Sequence, residues 1–201
     1  MPDKPINKTQ KQNMKNITCT LIVSVAVAVL ATGCGDPEQK QTIAPAKPTA
    51  PETPPVELPE ALLAKDALPD AVGVVAARKE VEPGKEIVLT GFIGGRVEPF
   101  VNGRAIFTLA DTKALTQCDA KPGDGCKTPW DACCDDPDKI KASIASIQVV
   151  DGDGHVLKGN LEGVGGIVSG STVSVKGKIA PGSTADALIV NAERIHVTPK
   201  P

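Results

Sequence analysis

Cys118, Cys126, Cys133 and Cys134 are the densest reactive chemistry in the sequence, spaced C-x7-C-x6-C-C in a stretch rich in Gly, Pro and Asp. Thiols grouped in this way form disulfides, or as thiolates they bind Zn²⁺ or an iron–sulfur cluster. Adjacent cysteines rarely bond each other, because a disulfide needs Cα atoms about 4.4–6.8 Å apart in a set geometry. Two bridged pairings stay open: Cys118–Cys133 with Cys126–Cys134, or Cys118–Cys134 with Cys126–Cys133. As metal ligands the four lack the paired CxxC knuckles of common zinc sites. The acidic neighbours Asp119, Asp124, Asp131, Asp135 and Asp136 are expected to raise the thiol pKa values, which opposes a reactive thiolate.

The other chemical side chains are isolated. Asp151-Gly152-Asp153-Gly154 holds part of a calcium-loop pattern, but the further ligands and the distal bidentate Glu are missing, and Asp-Gly pairs mark a tight turn. His155 and His196, the only histidines, have no cysteine or carboxylate at ligand spacing. Ser169, Ser171 and Ser174 lack a nucleophile elbow. Gly163 to Gly170 lacks the Lys-Ser/Thr of a phosphate loop. Aromatic residues are scarce: Phe92, Phe100, Phe107, Trp130 and no Tyr. Trp130 sits inside the cysteine stretch and reads as a cap or a recognition anchor. Phe92 and Phe107 are candidate ligand contacts.

The first third of the chain sets the compartment. Met14, a candidate start, opens MKNITCTLIVSVAVAVLATGC: a basic start, an apolar run from Leu21 to Ala31 broken by Ser24, then small residues. This is the plan of an export signal, and the run is shorter than the roughly 20 residues of a membrane span. Leu30-Ala31-Thr32-Gly33-Cys34 resembles a lipobox. The resemblance implies a bacterial lipoprotein signal cut before Cys34, which then carries fatty acyl chains such as palmitate. Two or more chains make a stable anchor where one does not. An exported chain with four remaining cysteines favours disulfides, with zinc as the alternative.

Pro37, Pro45, Pro48, Pro51, Pro54, Pro55 and Pro59 follow among polar residues. Such text buries too little apolar surface to order itself, and proline keeps it extended, so a disordered spacer is expected. The domains therefore read as a signal over 1–33, the lipidated Cys34 and tether over 34–69, and a folded domain over 70–198. Glu60 to Lys65 could make one helical turn, and Val72 to Glu80 a short helix or an irregular start.

Five β-branched runs bounded by Gly, Pro, Asn and Asp make that domain all-β. They cover 86–93, 104–110, 145–150, 172–179 and 187–197. A phase change near Ala192 in the last run predicts a bulge. The residues Gly84-Lys-Glu-Ile-Val-Leu-Thr-Gly91, Val173-Ser-Val-Lys-Gly177 and Leu188-Ile-Val-Asn-Ala-Glu-Arg-Ile195 resemble an OB-fold, a five-stranded Greek-key barrel. Gly91 fits a sharp barrel bend. The long cysteine-rich loop lies between strands two and three, and Gly159 to Gly166 stands where that fold usually has a helix. A β-sandwich is the runner-up. Cys126-Lys-Thr-Pro-Trp-Asp-Ala-Cys-Cys134 and Val164-Gly-Gly166 are similar to a group of uncharacterised planctomycete-type proteins, a likeness that implies a fold and no activity.

The formal charge is −2, and residues 1–33 carry Lys4, Lys8, Lys11 and Lys15 against Asp3, so the exported part is acidic. That opposes polyanion binding. The expectation is a non-enzymatic binding or envelope-structural module held at a membrane by its lipid, facing the periplasm or exterior, without a cofactor. Its ligand would be a small molecule, a glycan or a protein. The alternatives are single-strand nucleic-acid binding by fold analogy and a metal or thiol-redox protein built on the cysteines.

Overall fold

The alternating runs pair into one sheet that closes on itself. The structure, a computed structural model, describes residues 53–118, 123 and 126–199. The export signal, Cys34 and the tether up to residue 52 lie outside these. The strands are β1 (Val72–Gly73), β2 (Glu86–Ile93), β3 (Ile106–Ala110), β4 (Ile144–Gln148), β5 (Thr172–Ile179) and β6 (Ile189–Val197). Two short helices join them, α1 (Val74–Ala77) and α2 (Pro137–Ala142). The sheet runs β2-β3-β4-β6-β5, and β5 pairs back onto β2. All these pairings are antiparallel except β4 with β6, and β1 adds to β2 in parallel. This is the all-β, five-stranded OB-like barrel, with the cysteine loop between β3 and β4.

Two glycines permit the closure. At Gly91 β2 passes between β5 and β3, and a Cβ there would sit 2.3 Å from the Ala110 carbonyl oxygen. At Gly177 a Cβ would meet the Asn191 carbonyl oxygen at 2.1 Å. Beside Gly177 the β5–β6 register slips, with Lys176 opposite Arg194 and Gly177 opposite Ala192. Glu193 is the inserted residue, so the inward positions change from Val190 and Ala192 to Ile195. The bulge falls where the phase change predicts it.

The barrel interior holds Leu89, Ile93, Phe107, Leu109, Ile147, Val173, Val175, Ile179, Val190 and Ile195. A second cluster lies on the other face of β2 and β3, where Phe92, Ala110, Leu115 and Ala132 are buried with Ile140 and Ile144 against them. The cysteine loop and α2 therefore cover the outside of the barrel at this point.

The folded domain starts before residue 70. Val56 and Leu62 are buried in the main core. Val56 N–H donates to the Asn160 carbonyl (2.9 Å) and Ala64 N–H to the Ile195 carbonyl (2.8 Å). The Asn160 side chain binds the Thr53 carbonyl at 2.9 Å and accepts from Gly103 N–H at 2.7 Å. Leu63 and Ala64 thus pair with the stretch of β6 that β4 leaves open, protecting an edge. Glu60–Leu62 makes a single 3-10 turn. Residues 53–69 therefore do not all belong to the tether expected over 34–69, and the sequence hides this because a few apolar residues among prolines show no periodicity.

Asp111 ties the sheet to its surroundings. Its buried carboxylate accepts from Val75 N–H (2.9 Å), Lys113 N–H (2.8 Å) and Ala114 N–H (3.2 Å). It therefore fixes both α1 and the start of the cysteine loop. A Cβ on Gly73 would approach Asp111 Oδ2 to 2.5 Å, so only glycine lets the carboxylate in. We expect Asp111→Ala to cost roughly 1–3 kcal/mol, the cost of leaving such donors unpaired. Urea denaturation should show a lower midpoint with an unchanged slope.

Candidate functional site

The cysteine loop is held by backbone bonds at its neck. Leu115 N–H bonds to the Asp111 carbonyl at 2.9 Å, Cys118 N–H to Asp131 at 3.1 Å and Asp131 N–H to Thr128 at 2.9 Å. Gly95 N–H donates to the Trp130 carbonyl at 2.9 Å, docking the loop on the turn after β2. The return leg runs into α2, whose first turn is capped by Asp136 accepting from Asp138 N–H (2.9 Å) and Lys139 N–H (3.2 Å). Asp136 followed by Pro137 is a helix-start signal that the strand reading passed over.

This neck brings the thiols together. Cys118 is buried, while Cys133 and Cys134 are exposed. Cys118 Sγ lies 3.6 Å from Cys133 Sγ. The sulfurs of Cys118, Cys133 and Cys134 all lie within 4.8 Å of one another. Cys126 interacts with both Cys118 and Cys133. Cys118, Cys126 and Cys133 are free thiols, so neither expected pairing is formed. The stapling that the loop requires comes from its backbone bonds and from Ala132 in the outer cluster.

The thiols differ in acidity. Burial first pushes Cys118 up. Cys133 is pushed up to about 12, chiefly by its hydrogen bond with Cys118, then by burial, then by the charges of Cys118 and Asp131. Hydrogen bonding to the backbone and then the hydroxyl of Thr128 lowers Cys126. Acidic neighbours therefore do not govern the set as expected: Asp131 is a minor influence, and Asp119 and Asp124 lie outside the described residues.

Trp130 links this cluster to a groove. Its Nε1–H donates to the Val97 carbonyl at 2.9 Å, so the ring caps the loop. Trp130 also lines a groove of about 520 Å³ with Glu98, Phe100, Asn102, Asn160 and Glu162. Val97 and Val101 at its rim are 57% and 44% exposed. Capping and lining are thus both roles of Trp130.

Phe92 and Phe107, the other candidate contacts, are buried side chains. They are 1% and 0% exposed, one under the cysteine loop and the other in the barrel. Asp151 makes the expected tight turn, with Oδ1 accepting from Asp153 N–H (3.0 Å) and His155 N–H (2.9 Å). His155 is exposed beside Asp151, and His196 Nδ1 lies 3.2 Å from the Ala64 carbonyl. Sequence reading missed the groove, because its walls come from three separate loops.

In the reduced, metal-free protein the acidities and exposures predict an alkylation order. At neutral pH iodoacetamide should modify Cys126 first and Cys118 last. The Cys126 rate should rise with pH below the range of an ordinary thiol, and Cys133 should reach its plateau only at strongly alkaline pH. Timed alkylation with peptide mapping checks both; equal rates at the four positions would contradict the geometry. Comparison with protein-family models, curated proteins and solved structures finds no match to this chain.

Proposed function

We propose that this chain is an exported lipoprotein that displays its barrel at a membrane surface and binds an uncharged or basic glycan beside Trp130. The lipobox ending at Cys34 supports the anchor. Among the described residues no helix is long and apolar enough to cross a membrane. Under this reading, acyl chains on Cys34 hold the protein.

The observation that carries the ligand is the groove lining, where Trp130 stands among Glu98, Glu162, Asn102 and Asn160. A sugar ring offers an apolar face to an aromatic surface and hydroxyls to acceptors around it. Carboxylates only accept when ionised, so they take hydroxyl or ammonium donors and repel phosphates. The groove volume, about 520 Å³, suits a few sugar units. Burial of Phe92 and Phe107 withdraws the two rings that the nucleic-acid alternative would use for stacking.

Two measurements test this reading. In cells the wild-type chain should take up labelled palmitate and partition into detergent, and Cys34→Ser should do neither. An unlabelled wild type would remove the anchor. Trp130 is the sole tryptophan in a chain without tyrosine, so its fluorescence reports the groove directly. Titration with chito-oligosaccharides and their deacetylated forms should give a saturable shift. Glu162→Gln should weaken binding about tenfold, as expected for a lost charged hydrogen bond. A flat titration with both sets would remove the glycan.

A further inference from the structure

We propose that Cys118, Cys126, Cys133 and Cys134 bind one zinc ion through four thiolate sulfurs, and that this ion locks the cysteine loop onto the barrel. The proposal stands apart from the glycan reading.

The sulfur geometry carries it. Zinc–thiolate bonds are about 2.3 Å long, which sets the sulfurs of a tetrahedral site roughly 3.8 Å apart. Cys118 Sγ and Cys133 Sγ are 3.6 Å apart. A disulfide would hold them at about 2.05 Å. Cys134 completes a triangle in which every pair is within 4.8 Å. Cys126 lies outside that triangle but interacts with Cys118 and Cys133, and as the fourth ligand it would close the set.

The loop is built to hold that triangle. Cys118 is on the outgoing leg, with its N–H bonded to the Asp131 carbonyl of the returning leg at 3.1 Å. Ala132, the residue before Cys133, is fixed in the cluster of Phe92, Ala110 and Leu115. One sulfur is thus buried on a packed base, while Cys133 and Cys134 face solvent and leave the ion a path in. Asp131 Oδ1 is occupied by Ala132 N–H at 2.7 Å.

The donor set selects the ion. Thiolates favour soft or borderline cations over calcium and magnesium, and four of them in a tetrahedron suit zinc. A closed set of four protein ligands leaves no position for a reacting water, so the site is structural. On binding, four zinc–sulfur bonds form, the four thiol protons pass to solvent, and no electron is transferred.

The test uses the full reduced chain, kept under anaerobic conditions with a phosphine reductant. Titrated with Zn²⁺, the native mass should gain one zinc ion in place of two protons. With Co²⁺ the chain should show sulfur-to-cobalt charge transfer and the strong visible bands of tetrahedral cobalt, which zinc then bleaches. Circular dichroism is followed throughout, because Cys118→Ser could disturb the packed base. Cys134→Ser and Cys126→Ser change less buried positions and should keep the fold while losing the tetrahedral spectrum. Faint octahedral cobalt bands in the wild type, or spectra unaffected by both variants, would overturn the proposal. So would protein trapped directly from cells with maleimide that carries disulfides among these cysteines, or a brown chromophore with iron and acid-labile sulfide.

Discussion

One strand with two occupied edges organises the molecule. β2 bonds β5 along one edge over 86–92, and on the other edge it bonds β1 and then β3. Serving both sides turns a sheet into a barrel, and it forces β2 against Ala110 at a distance only a glycine tolerates. Closure then fixes the strand ends, and the strand ends fix the loops. The same bend leaves Phe92 and Ala110 on the outer face with no strand to cover them. Such apolar surface must be buried to be stabilising, and the cysteine loop is what buries it. The loop is therefore part of the packing of the barrel, and its thiols sit on a base set by β2 and β3.

Periodicity made the strands legible, because each is a run of β-branched residues with one face inward. The ranges 86–93 and 172–179 match the observed strands, and the phase slip near Ala192 marks the bulge at Glu193. Period-two reasoning cannot see a second layer, however. Phe92 alternates away from Ile93, which reads as exposure; only the distant Leu115 and Ala132 make it buried. Asp111 was equally hidden, because its partners Val75, Lys113 and Ala114 come from two different segments. The residues of the cysteine cluster were legible as chemistry. Their arrangement was not, because spacing along a chain does not say which sulfurs share a corner.

Residues 53–64 show how a proline-rich text can still belong to a domain. Proline donates no backbone hydrogen bond, but its neighbours do. Val56 and Ala64 supply N–H groups to Asn160 and Ile195, while Val56 and Leu62 fill gaps in the core. Asn160 is the joint. Its side chain holds Thr53 and Gly103 together, and it also borders the groove. Gly159 beside it has φ +121°, and a Cβ there would strike the Val56 backbone at 2.8 Å. The described chain thus joins the barrel at the wall of its candidate binding surface.

The thiols lie outside the main core and against the second cluster. The main core is aliphatic with one phenylalanine and contains no sulfur. Cys118 is the exception among the four thiols, being 1% exposed, whereas Cys133 and Cys134 reach solvent. The backbone of the buried Cys118 is held through its N–H bond to the Asp131 carbonyl. Trp130 lies between Cys126 and Cys133 in the chain and is tied to Val97, so whatever fixes the sulfurs also fixes one wall of the groove. The coupling requires no motion of the sheet. It needs only that the short segment from Cys126 to Cys134 behave as one piece, and its bonds to Gly95 and Val97 give it that stiffness.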